Sequence, residues 1–123
     1  MGSAPIKISK TNFMSNINAK DEFLAHVKSR PILCAELTFE EGDINEKRCE
    51  LPLDYTEQDY EYFLKRINKS YDSGYGGQEL FGTIWYKDGT WSDRGEYDGS
   101  EWWQHQVCPP IPTQLEKLKT VSL

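Results

Sequence analysis

No run of apolar residues in this chain approaches the roughly 20 that a membrane helix needs. The N-terminus, MGSAPIKISK, lacks the apolar centre of a signal peptide. Its Met-Gly start imitates a myristoylation site, but Ile6 stands where Ser or Thr is required. A cytoplasmic protein without membrane contact is expected. The three cysteines, Cys34, Cys49 and Cys108, are odd in number and contain no CxxC pair, which argues against a disulfide framework or a Cys-rich zinc site. Only two histidines are present. Basic residues are also in deficit, 14 against 20 acids, for a formal charge of -6. The densest basic group, Lys65, Arg66 and Lys69, is surrounded by acids. Direct nucleic-acid binding is therefore disfavoured, and a protein with a basic surface is the better electrostatic match.

What the chain does have is one domain's length, 123 residues, with 37% hydrophobic residues. Residues 1–17 are weakly patterned, although Ile6, Ile8 and Phe13 could dock on a core. Asn18 reads as an N-cap with Asp21 and Glu22 in the first helical turn, predicting a short helix over 19–29 that Pro31 closes. From Pro31 to Glu40 the residues alternate, with Leu33, Ala35, Leu37 and Phe39 on one face of a half-buried strand. Glu41-Gly42-Asp43 is a turn. Ile44 to Leu53 returns as a second strand with Cys49 and Leu51 inward and Pro52 at its end. Thr56 and Asp59 form a capping-box variant opening the main helix. Tyr60, Phe63, Leu64, Ile67 and Tyr71 recur along it at helical spacing.

The stretch from Tyr71 to Pro112 holds all four tryptophans and seven glycines. Leu80–Lys87, Thr90–Tyr97 and Ser100–Val107 are strand candidates joined by Asp88-Gly89 and Asp98-Gly99, the dipeptide favoured in two-residue type I′ turns. If both turns are of that type, Tyr86 faces Trp91, Ile84 faces Asp93, Gly95 faces Trp102, Arg94 faces Trp103 and Glu96 faces Glu101. Leu80, Ile84, Tyr86, Trp91, Tyr97 and Trp102 then form the core face. The other face carries Phe81, Thr83, Trp85, Ser92, Arg94, Glu96, Glu101, Trp103 and His105. Arg94 beside two tryptophans suits cation–π stacking. Asp93 falls among core residues, and Glu96 opposite Glu101 is a like-charge pair, so both are marked as anomalies.

The binding candidates are thus Trp85, Asp93, Arg94, Glu96, Glu101, Trp103 and His105. No catalytic residue, metal site or cofactor is assigned. Ser92 and His105 oppose each other in this register but lack an oxyanion site. The loop Gly74-Tyr75-Gly76-Gly77 has no Lys-Ser/Thr and precedes a strand, so it is no phosphate-binding fingerprint. Asn68-Lys69-Ser70 matches a glycosylation sequon, but on a helix of a cytoplasmic chain it is discounted. The 113–123 segment reads as a short helix or tail.

The run YDSGYGGQELFGTIWYKDGTWSDRGEYDGSEWW followed by PPIP resembles a group of small, largely uncharacterised bacterial, phage and prophage proteins. The resemblance covers residues 71–112 and implies a mobile-element setting, in which small acidic proteins bind and block host defence complexes. The expected fold is one α+β domain over 1–123. It is a mostly antiparallel sheet of about five strands in the order α-β-β-α-β-β-β, with the main helix on one face. The expected function is a non-enzymatic acidic binding protein, a phage-type (anti-CRISPR or anti-restriction) nuclease inhibitor that occludes a basic nucleic-acid-binding surface. The alternative is a small-molecule or nucleotide-binding module using the aromatic and arginine face.

Overall fold

The protein is described by a computed structural model that covers residues 16–40, 46–74 and 76–115. Ile6, Ile8 and Phe13, the turn expected at 41–43 and residues 116–123 lie outside the described residues. Strand β1 (Asn16–Asn18) leads into helix α1 (Ala19–Val27), followed by β2 (Ile32–Glu40) and β3 (Glu46–Leu51). Helix α2 (Glu57–Arg66) then precedes β4 (Ser70–Asp72), β5 (Leu80–Tyr86), β6 (Trp91–Tyr97) and β7 (Ser100–Gln106). The fold is α+β, with an antiparallel five-stranded sheet ordered β3-β2-β5-β6-β7.

Both helices begin where capping chemistry places them. The Asn18 side chain accepts from the Asp21 amide at 3.0 Å. At α2, Thr56 Oγ1 accepts from the Asp59 amide at 3.0 Å, and the Asp59 carboxylate accepts from the Thr56 amide at 2.9 Å. The two bonds satisfy two orphan donors reciprocally.

The helical stripe predicted through Tyr71 ends earlier. α2 stops at Arg66, and Tyr71 lies in β4, which pairs antiparallel with β1 in a separate two-stranded sheet. This small sheet was not expected from the sequence. Three-residue strands carry too little periodicity to stand out. The Ala19 amide bonds Lys69 O at 2.8 Å, tying the start of α1 to this ribbon.

One core joins α1, α2 and the inner sheet face. Phe23 of α1 meets Phe63 of α2 edge to face at 5.4 Å, and Ile32, Ala35, Leu37, Phe39, Leu51, Leu80 and Ile84 close beneath them. A register shift between Ile32 and Cys34 puts Ile32 inside and leaves Leu33 40% exposed, correcting the inward place expected of Leu33. With both helices on one face, no described element covers the other face of the five-stranded sheet.

Candidate functional site

The site depends on which residues face outward, and one hairpin decides that. The second hairpin follows the expected geometry. Asp98 and Gly99 both have positive φ (52° and 88°), and Gly95 faces Trp102, Arg94 faces Trp103 and Glu96 faces Glu101. The first hairpin does not. The Tyr86 amide donates to Thr90 O at 3.0 Å, so Lys87-Asp88-Gly89 forms a three-residue loop, with Gly89 at φ 89°. Asp88 Oδ1 accepts from both the Thr90 amide and the Thr90 hydroxyl, at 2.9 and 2.6 Å, and shapes the return.

The consequence is a one-residue slip. Ile84 faces Ser92 and Trp85 faces Trp91, where a two-residue turn would put Asp93 and Ser92. Because side chains alternate, every residue of β6, and of β7 behind it, changes face relative to β5. Trp91 and Trp102, expected in the core, lie on the outer face, while Ser92, Arg94, Glu101 and Trp103 turn inward.

Arg94 is the centre of the inner cluster. Its side chain is 2% exposed. It donates to Leu80 O at 3.2 Å, the Tyr71 hydroxyl at 2.7 Å, Glu101 Oε1 at 2.9 Å and Glu22 Oε2 at 3.4 Å. It also lies over the Trp103 ring at 4.9 Å and the Tyr71 ring at 5.6 Å. The buried Glu101 carboxylate accepts in addition from the Glu79 and Leu80 amides, at 2.8 and 3.1 Å. Burial works against the charged guanidinium, but Tyr71, Glu22 and Glu101 outweigh it and raise the Arg94 pKa. Tyr71, buried and hydrogen-bonded to Glu22, is held in its neutral form with a raised pKa, against a smaller opposing effect of Arg94. The cluster clamps α1, β4, β5 and β7 together.

A second polar chain lies beside it. Ser92 Oγ is 2.8 Å from His26 Nε2 and 2.7 Å from the Tyr86 hydroxyl. Burial, then Arg30, His105 and Arg94, lower the His26 pKa. Ser92 does face His105 as expected, but His105 Nε2 is 2.8 Å from Thr90 Oγ1. With Ser92 fully buried, its hydroxyl is out of reach of a substrate.

The outer face is where contact with a partner can occur. Phe81, Trp85 and Trp102 are each about two-fifths exposed and Tyr97 three-quarters, with the half-buried Trp91 directly opposite Trp85. Trp102 lies on Gly95, where an added Cβ would fall 2.5 Å from the indole nitrogen. The expected pairing of Gly95 with Trp102 is observed, but on the outer side. Gly82 has another role: its missing side chain lets the β2 backbone approach, with Glu36 O 2.5 Å from an added Cβ. Across β2 and β3 the same face presents exposed Glu36 opposite Glu50 and exposed Glu40 opposite Glu46, with Arg48 opposite Thr38 between them.

The seven predicted binding residues are therefore separated. Trp85 and Asp93 are on the outer face, Asp93 accepting from the Gln104 and Gln106 side chains at 3.3 and 3.2 Å. Arg94, Glu101 and Trp103 are structural and buried, so the expected Trp85–Arg94–Trp103 face does not form. Glu96 is exposed and accepts from the Gly99 amide at 3.4 Å. His105 is exposed beside Tyr86. Trp91, Trp102 and the β2–β3 acids were missed as surface candidates. The misplaced Asp93 was the one sign in the sequence that the register was off by one.

Among the described residues, no group of three or more His, Cys, Asp or Glu could hold a metal ion, and no helix is long and apolar enough to cross a membrane. Compared with known proteins, the chain matches no family model, no curated protein and no solved structure.

Proposed function

We propose that this is a non-enzymatic acidic binding protein whose outer sheet face docks on a basic protein surface. In its sharper form, it inhibits a host-defence nuclease of the CRISPR or restriction type by occluding the surface that holds nucleic acid. The observation that carries the reading is the pairing, on one face that no described element covers, of exposed carboxylates with exposed indoles. Arginine is the side chain that both features recognise. Its guanidinium pairs with carboxylates and stacks on tryptophan. Nucleic-acid channels are lined with such residues to meet phosphates.

Two like-charge pairs strengthen the argument. Glu36 opposite Glu50 and Glu40 opposite Glu46 each cost the free sheet about 0.2–1 kcal/mol. A basic partner would turn that cost into attraction. The net charge of -6 favours encounter with the same kind of surface.

The test is competition with DNA for purified restriction and CRISPR nucleases at increasing salt. Displacement of DNA should weaken steeply with salt and be lost in the double variant Glu36→Lys with Glu50→Lys. Displacement that survives this charge reversal would contradict the reading. The Glu96–Glu101 pair is unsuitable for such a test, because Glu101 is bound to Arg94 in the interior.

A further inference from the structure

The two edges of the five-stranded sheet are guarded very differently. One edge is β3, where Glu46, Lys47, Arg48 and Glu50 crowd the strand and Pro52 follows it. Charge and proline at an edge prevent another strand from adding there. The opposite edge is β7. From Trp102 to its end at Gln106 the strand contains no Asp, Glu, Lys or Arg, no proline and no glycine.

The hydrogen-bonding groups on that free edge can be read from the hairpin. In a two-residue hairpin the flanking pair, here Tyr97 and Ser100, exchanges backbone bonds, and bonded pairs then alternate. Trp102, Gln104 and Gln106 therefore bond back to β6, and Glu101, Trp103 and His105 point their amides and carbonyls outward. The Glu101 amide confirms this alternation by donating away from β6, to Ser73 O at 2.9 Å. Beside Trp103 and His105 there is no described strand.

We infer that β7 pairs antiparallel with β7 of a second copy of this chain, about a two-fold axis at Gln104. That register places Trp103 against His105 of the second copy and His105 against its Trp103, so the outward amide and carbonyl of both residues are used. A centre at Trp103 would need the Glu101 amide, which Ser73 occupies. A centre at His105 would need Val107, beyond the end of the strand. On the outer face Trp102 meets Gln106 of the second copy, so no like charges are opposed. The acid-rich β2–β3 pair sits at the far side of each sheet, away from the axis. The result joins two five-stranded sheets into one and sets two sets of outer-face indoles side by side. This inference stands on the edge of the sheet and does not depend on the function proposed for its face.

The test is sedimentation of the full chain at rising concentration, up to about 300 µM, which detects association of micromolar strength. The mass should rise from 14.3 kDa toward twice that value. Gln104→Lys leaves every backbone bond in place and sets two like charges together at the axis. It should weaken association about fivefold, and mixing it with Gln104→Glu should restore association. His105→Pro removes an outward amide that the monomer does not use and should abolish association with the far-UV spectrum retained. A wild-type chain that stays monomeric, or a dimer indifferent to Gln104→Lys, would overturn the inference.

Discussion

Arg94 shows how far a residue's role depends on the face it occupies. On a surface it would be a ligand for carboxylates; inside, it is the cation that Glu22 and Glu101 require. Removing it leaves two carboxylates without their partner in or beside the core. Arg94→Met should therefore cost about 3–5 kcal/mol in urea unfolding, the range for breaking one side of a buried ion pair. His26 gives a second, pH-dependent prediction. Its pKa is lowered from 6.5 in the fold, chiefly by burial. Above pH 6.5 neither state binds the proton; below it the unfolded chain takes the proton first. Stability should therefore decline as pH falls through 6.5, until His26 also protonates in the folded state. In His26→Gln, thermal melts should show a flatter slope across this window. An unchanged slope would mean that another group supplies it.

Among the elements, those with strong local signals could be read from sequence and the register of one hairpin could not. Asn18 and the Thr56–Asp59 box named both helix starts because a cap is a contact within four residues. The alternation of β2 was equally plain, apart from the irregularity that turns Leu33 outward. Asp88-Gly89 fits a two-residue turn as well as the last two positions of a three-residue loop. Only the tertiary consequence, Arg94 meeting Glu22 from a helix 72 residues away, distinguishes them. That single ambiguity inverted the candidate site. Gly89, at φ 89° with open space around it, should lose about 1 kcal/mol on substitution by Ala, from backbone strain alone. In β2–β3, Glu50→Lys replaces a repulsive pair with an attractive one. It should stabilise the free protein by about 0.5–1 kcal/mol while weakening its hold on a basic partner. Opposite signs in those two measurements would identify the like-charge pairs as serving binding.

Across the molecule, both helices pack on the same side of the sheet, and the other side, which no described element covers, carries acids toward one edge and indoles toward the other. The proposed partner and the assignment of every candidate residue rest on that division. The four tryptophans report it directly. With indole nitrogens labelled, a soluble paramagnetic probe should broaden the N–H signals of Trp85 and Trp102 most and Trp91 next. Trp103, 7% exposed and with its indole nitrogen buried, should be spared. The register expected from two tight turns makes the reverse division, with Trp91 and Trp102 spared and Trp103 broadened along with Trp85. That second pattern would contradict the face assignment and the functional reading built on it.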